Sequence, residues 1–120
     1  MKNTEQLPIY LKIYQLAKFL YKVVENFPKQ YKYTLGEDIL KNVWKCLDAV
    51  VEANFLPNNK KYPKILALSL NFDKLKTRIR MAQEIKAMSA GQFSHIQVQY
   101  AKEIGEMVGG WTNWGKSQTI

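Results

Sequence analysis

Lys76 and Arg80 stand four residues apart, and so do Lys74 and Arg78. On a helix each pair shares a face, and regularly spaced cations on a rigid rod can follow a phosphate backbone without reading bases. Both arginines of the chain lie here. The stretch from Lys60 to Arg80 holds seven cations, Lys60, Lys61, Lys64, Lys74, Lys76, Arg78 and Arg80, against one carboxylate, Asp73. Charge concentrated in this way favours a polyanion, through counterion release and steering. The same residues also read as a solvated lysine-rich face, where ion pairs contribute little.

A second interleaving of cations and rings occurs where Tyr31 and Tyr33 alternate with Lys29 and Lys32. Such a pattern can stack bases while neutralising phosphates, and it equally serves to wedge a turn between helices. Catalytic chemistry is poorly supplied. His95 is the only histidine and Cys46 the only cysteine, so no nucleophile–base–carboxylate set can be built without guessing its members. A packing or surface role suits His95, and a small buried hydrophobe suits Cys46. The sequence contains no Glu-x-x-His pair for a bundle di-metal site and no glycine-rich phosphate loop. No catalytic residue, metal ligand or cofactor site is assigned.

These side chains must be held by a frame of 120 residues, the size of one domain. A hydrophobic fraction of 47% and a charged fraction of 23% suit a globular chain with its own core. Eighteen Lys+Arg against ten Asp+Glu leave +8. A lone cysteine rules out a disulfide scaffold. The apolar runs are short and broken by lysines, which excludes a membrane span. The polar opening Met1-Lys2-Asn3-Thr4-Glu5-Gln6 does not read as a secretory signal. The expectation is a protein of the reducing cytoplasm with no membrane partner.

Four stretches carry helical periodicity, predicting an all-α chain with helices at about 8–27, 35–56, 63–88 and 90–112 and a frayed tail at 113–120. Short connections between them predict an up-down antiparallel four-helix bundle. Pro8 suits a first helical position. Ile9, Ile13, Leu16, Leu20, Val23 and Phe27 then form one stripe. Thr34 and Glu37 have capping-box spacing and precede Ile39, Val43, Leu47 and Val50, with Leu40, Trp44 and Val51 widening that face. Ser89 and Gln92 repeat the capping pattern before Phe93, Ile96, Tyr100, Ile104, Met107 and Trp111. Gly105 and Gly109 read as sites of close packing, and Gly109-Gly110 as an alternative helix end.

The third helix is unusual in carrying two stripes. Leu68, Phe72, Leu75, Ile79 and Ala82 form the first. Leu66, Leu70, Met81 and Ile85 fall opposite them when placed about 100° apart per residue. In a four-helix chain no helix is surrounded by the others, so the second stripe predicts a contact with another subunit.

The order and spacing of these residues resemble a known family. Phe27-Pro28-Lys29 with Tyr33-Thr34-Leu35-Gly36 is followed by Leu47 and Glu52-Ala53, then Leu70, Leu75-Lys76, Arg80 and Ala82. The match continues through Ser89, Gln92-Phe93, Ile104-Gly105 and Met107-Val108-Gly109-Gly110-Trp111. The pattern resembles the accessory proteins of diversity-generating retroelements, called Avd for accessory variability determinant, from about Ile9 to Trp111.

The resemblance implies a homopentameric barrel of four-helix bundles, basic and non-catalytic. Its partners would be RNA and DNA, a retroelement reverse transcriptase and the template RNA used in mutagenic retrohoming. The family's basic pair on the third helix falls on Lys76 and Arg80, with lysine replacing arginine at the first. Lysine keeps the charge and loses the bidentate geometry. A related bundle family, encoded within intervening sequences of 23S ribosomal RNA genes, usually carries Asn-Ile-Ala-Glu-Gly at the end of the second helix. Val51-Glu52-Ala53-Asn54-Phe55 stands here instead, which favours the retroelement branch. The intervening-sequence branch stays open, as does a protein-interaction bundle with no nucleic-acid role.

Overall fold

The computed structural model describes residues 3–119. Met1 and Lys2 of the polar opening, and Ile120 of the expected tail, lie outside them. The described residues form helices joined by short turns and contain no strand. After a 3-10 turn at Thr4–Gln6 come α1 (Pro8–Glu25), the short α2 (Lys29–Lys32), α3 (Leu35–Phe55) and a second 3-10 turn, Asn58–Lys60. They are followed by α4 (Tyr62–Glu84), α5 (Ala90–Ile96), a π-helical stretch Gln97–Ala101 and α6 (Lys102–Gln118).

The long helices pack in a closed order, with α1 on α3, α3 on α4, α4 on α6 and α6 on α1. Each presents its main stripe inward. Ile13, Leu16 and Leu20 of α1, Ile39 and Val43 of α3, Leu68, Leu75 and Ile79 of α4, and Ile96 and Ile104 beyond them are almost wholly buried. Helices this short gain most of their stability from such an apolar face and little from propensity. Cys46 belongs to the same core, and burial pushes its thiol up to about 12. No described helix is long and apolar enough to cross a membrane.

Several expected boundaries move. α1 ends at Glu25, and Phe27 is buried just beyond it, before Pro28. Lys29–Lys32 forms a helical turn where a plain loop was expected. Thr34 does not cap α3. Its hydroxyl donates back to the Gln30 and Tyr31 carbonyls at 3.2 and 3.4 Å, because the turn of α2 lies within its reach. The capping box at Ser89 and Gln92 forms in both directions. Trp44 and Val51 do not widen the buried face of α3; both are exposed.

The last helix departs furthest from expectation. The π stretch spaces buried Ile96 and buried Ala101 five positions apart, after which Ile104 and Val108 resume ordinary spacing. Phe93, Tyr100, Met107 and Trp111 are therefore only half-buried beside the core. The tail is not frayed up to Gln118, since α6 continues that far. Gly109 and Gly110 neither end it nor pack tightly: a Cβ at either would meet open space. The close contact is at Gly115, where a Cβ would lie 2.9 Å from Ile65 Cδ1 and 3.5 Å from Tyr62. Gly105 lies beside Phe72, so α6 and α4 run in opposite directions.

Two backbone positions have sharp requirements. A Cβ on Gly36 would lie 2.7 Å from Val24 Cγ1 and 3.3 Å from the Tyr31 carbonyl. This explains the glycine of the Tyr-Thr-Leu-Gly turn: the first turn of α3 presses on the end of α1. α4 ends one turn earlier than expected, at Glu84, and Lys86 just beyond its cap has a φ of 63°. The Lys86 amide donates to the Gln83 carbonyl and the Ala87 amide to the Ala82 carbonyl, at 3.0 and 2.8 Å. This is the paired closure that helices usually make with glycine at the left-handed position.

Gly36→Ala should therefore lower the unfolding free energy by about 1 kcal/mol or more from overpacking, although alanine is the better helix former. Lys86→Gly should raise it by about 0.5–1 kcal/mol by relieving the left-handed Cβ. Urea unfolding followed by circular dichroism measures both.

Candidate nucleic-acid interface

The seven cations of the basic segment fall into distinct environments. Lys61 is internal. Its ammonium donates to the carbonyls of Ala53, Asn54 and Leu56 at 2.8, 3.0 and 2.6 Å. These carbonyls lie at and just past the end of α3, at the negative end of the helix dipole; that of Ala53 also accepts from the Leu56 amide at 3.2 Å. Three acceptors need three N–H groups, so this geometry fits the charged amine. Burial pulls its pKa below the ordinary lysine value. Lys61 is thus corrected from a phosphate ligand to a helix cap, and no spacing rule had distinguished it from Lys60. Lys60 itself is exposed on the 3-10 turn.

Lys64 pairs with Glu52 of α3 at 2.6 Å, so much of its charge is answered within the chain. Lys76 reaches Asp73 at 3.4 Å and lies 5.0 Å above the Phe72 ring. Both partners of that ion pair are well exposed, and such pairs are worth under about 1 kcal/mol. Arg78 lies along its own helix and donates to the Lys74 carbonyl at 3.3 Å. Lys74 and Arg80 have no ion-pair partner among the described residues.

The two cation pairs occupy opposite flanks of α4. Lys76 and Arg80 line a shallow depression of about 480 Å³ with Asp73, Thr77, Phe93 and Gln97, on the side of α5 and the π stretch. Helical phase puts Lys74 and Arg78 on the other flank, towards α3. Between the flanks run Leu66, Leu70, Met81 and Ile85, all exposed. Ile85 sits just past the last helical residue, at the cap. The second stripe is therefore not absorbed within one chain.

The other candidate residues are scattered. Tyr31 is half-buried against the core, which suits a wedge in the turn, whereas Tyr33 is exposed with the Lys32 ammonium 5.8 Å above its ring. His95 lies on the surface, its ring centroid 4.6 Å from that of Phe19 and 5.7 Å from that of Tyr100. Among the described residues no three His, Cys, Asp or Glu side chains gather in a way that could hold a metal.

One feature had no signal in the sequence. A groove of about 960 Å³ opens at the end of the bundle, walled by Leu7, Ile9, Phe55, Met107, Trp111 and Trp114. It required α6 to extend past position 112, where a frayed tail was expected, so that Trp114 joins the wall. Its lining includes Lys61, whose ammonium is already taken, so the groove offers a phosphate no cation.

Lys61→Met should cost about 2 kcal/mol, because it strands carbonyls that a buried donor now satisfies. Lys60→Met should stay within about 0.5 kcal/mol of the parent. Equal stabilities in parallel denaturation curves would show that the cap contributes nothing.

No curated protein matches the chain. Residues 7–114, nearly its whole length, match the model of the family described as bAvd-like. The chain belongs to the bAvd-like family.

Proposed function

We propose that this chain is a non-catalytic, nucleic-acid-binding accessory subunit that acts in the cytoplasm beside a retroelement reverse transcriptase and its template RNA in mutagenic retrohoming. In this reading the chain is an up-down antiparallel four-helix bundle and assembles as a homopentamer. Family membership supports the accessory role. The observation that carries the nucleic-acid part is the flank of α4 at Lys76 and Arg80. There an unpaired arginine and a loosely held lysine share one helical face, and the depression beside them admits a phosphate group. DNA would meet the same flank as RNA does, since phosphates are common to both.

This flank needs no catalytic residues. Its part is to neutralise and align a strand, and alignment through phosphates leaves sequence choice to base pairing elsewhere. Lys74, on the opposite flank, and Lys60, at the start of the α4 segment, add unpaired charge elsewhere along the same stretch, whereas Lys64 adds less because Glu52 already answers it.

The test is RNA affinity measured against salt concentration. Lys76→Ala/Arg80→Ala should flatten the log–log slope by about 1 for each phosphate contact removed, and Lys64→Ala should change it less. An unchanged slope in the double variant would take this flank out of the site. Affinity no greater than that of an unrelated protein of equal charge would leave a protein-interaction bundle. Co-purification of the reverse transcriptase with this chain reads the second half of the proposal.

A further inference from the structure

The depression beside α4 holds more than cations. Asp73, Lys76, Thr77 and Arg80 fall at i, i+3, i+4 and i+7 on α4 and so share one face. Phe93 of α5 and Gln97, the first residue of the π stretch, stand four apart and close the depression from the other side. At about 480 Å³ it falls within the size range of small-molecule sites.

A phosphate contact explains Lys76 and Arg80 and leaves three residues over. The Asp73 carboxylate repels a phosphate, yet it lies 3.4 Å from the Lys76 ammonium that would bind one. An ionised carboxylate only accepts hydrogen bonds. The Gln97 side-chain amide, half-buried at the wall, offers two donors and an acceptor and makes no hydrogen bond among the described residues. Phe93 is half-buried against the core, and its remaining surface lines the depression. An acceptor, an amide and a ring beside two cations match the parts of a nucleotide, which are the N–H groups of a base edge, a base face and a phosphate.

We propose that the depression seats one unpaired nucleotide of a nucleic-acid strand. Its phosphate would lie on Lys76 and Arg80, its base against the Phe93 ring, and its Watson–Crick edge at Asp73 and Gln97. The proposal rests on the nucleic-acid part of the reading above and adds that this flank tells an open strand from a paired one. Every base carries at least one N–H donor on its Watson–Crick edge, so an acceptor such as Asp73 suits all of them. In a duplex those donors are taken by the partner strand and the base faces are stacked on one another. The state of the strand is thus read, and its sequence is left to base pairing elsewhere.

The experiment uses the full chain and two short single-stranded DNA probes of equal length and charge. One carries bases of mixed sequence. The other is abasic throughout and keeps the sugars and phosphates. The parent should bind the base-bearing strand on the order of fivefold more tightly, the lower end of what stacking one base contributes. Gln97→Ala and Phe93→Leu should each narrow that gap and leave the abasic affinity as in the parent. Asp73→Ala should narrow it while raising the abasic affinity, because a charge that repels phosphates is gone. Lys76→Ala/Arg80→Ala should weaken the binding of both strands. Asp73 is exposed and Gln97 half-buried outside the core. Their variants therefore keep the test intact if circular dichroism shows Phe93→Leu to be misfolded.

Equal affinity of the parent for the two strands overturns the proposal and leaves the phosphate contact of the flank in place. A gap that survives in both Gln97→Ala and Asp73→Ala also overturns it, since the bases would then be held elsewhere on the chain. A parent that binds neither strand removes the nucleic-acid role itself, and this site with it.

Discussion

The turn between α3 and α4 is held by one ammonium group. α3 ends by exposing carbonyls that water would ordinarily satisfy, yet the chain must turn there and send α4 back along α3, against which it packs. Lys61 reaches back to the carbonyls of Ala53, Asn54 and Leu56, the first of which also accepts from the Leu56 amide. The same turn is closed by backbone bonds from the Lys60 amide to the Pro57 carbonyl and from the Lys61 amide to the Asn58 carbonyl, and α4 then packs back along α3. The cost is a desolvated charge. It is met by three short hydrogen bonds and by the negative end of the α3 dipole, which is the pairing a buried charge requires.

From that turn the division of labour on α4 follows. Its inner face locks into the core through Leu68, Phe72, Leu75 and Ile79. A helix phased this way turns Leu66, Leu70 and Met81 to the outside and sets the two cation pairs on opposite flanks. Under the proposed function this arrangement would separate two physical jobs that a single mixed patch would confuse. Apolar area drives association with little directional preference, whereas outlying cations act on polyanions at longer range.

Much of this was legible in the sequence because period and burial coincide. The inward stripes of α1, α3 and α4 were set by spacing alone, and the exposed stripe of α4 followed because no face remained to cover it. Other features depended on neighbours that a linear reading cannot see. Lys61 and Lys60 are adjacent lysines of identical type, and only the position of the α3 carbonyls makes one a cap. Thr34 has the right spacing for a capping box, but the preceding turn offers its hydroxyl carbonyls first. Gly109-Gly110 carries a stop signal, but the packing of Gly115 on Ile65 and Tyr62 keeps α6 helical beyond it. The end-groove was missed because the residues after 112, Trp114 among them, were read as tail. The cation candidates were found as a set, and pairing then ranked them.

The π-helical stretch Gln97–Ala101 bears on how this chain can change length. A turn of that kind holds one residue more than the α-helical turns around it. Val98, within it, is exposed. Losing one residue there would convert the turn to ordinary helix while α5 keeps its cap and α6 its place against α4. The stretch is thus a point where the loss of a single residue can be absorbed without rotating the rest of the helix. Homologues aligned to this chain can carry a one-residue gap near position 98 and still share its packing on both sides.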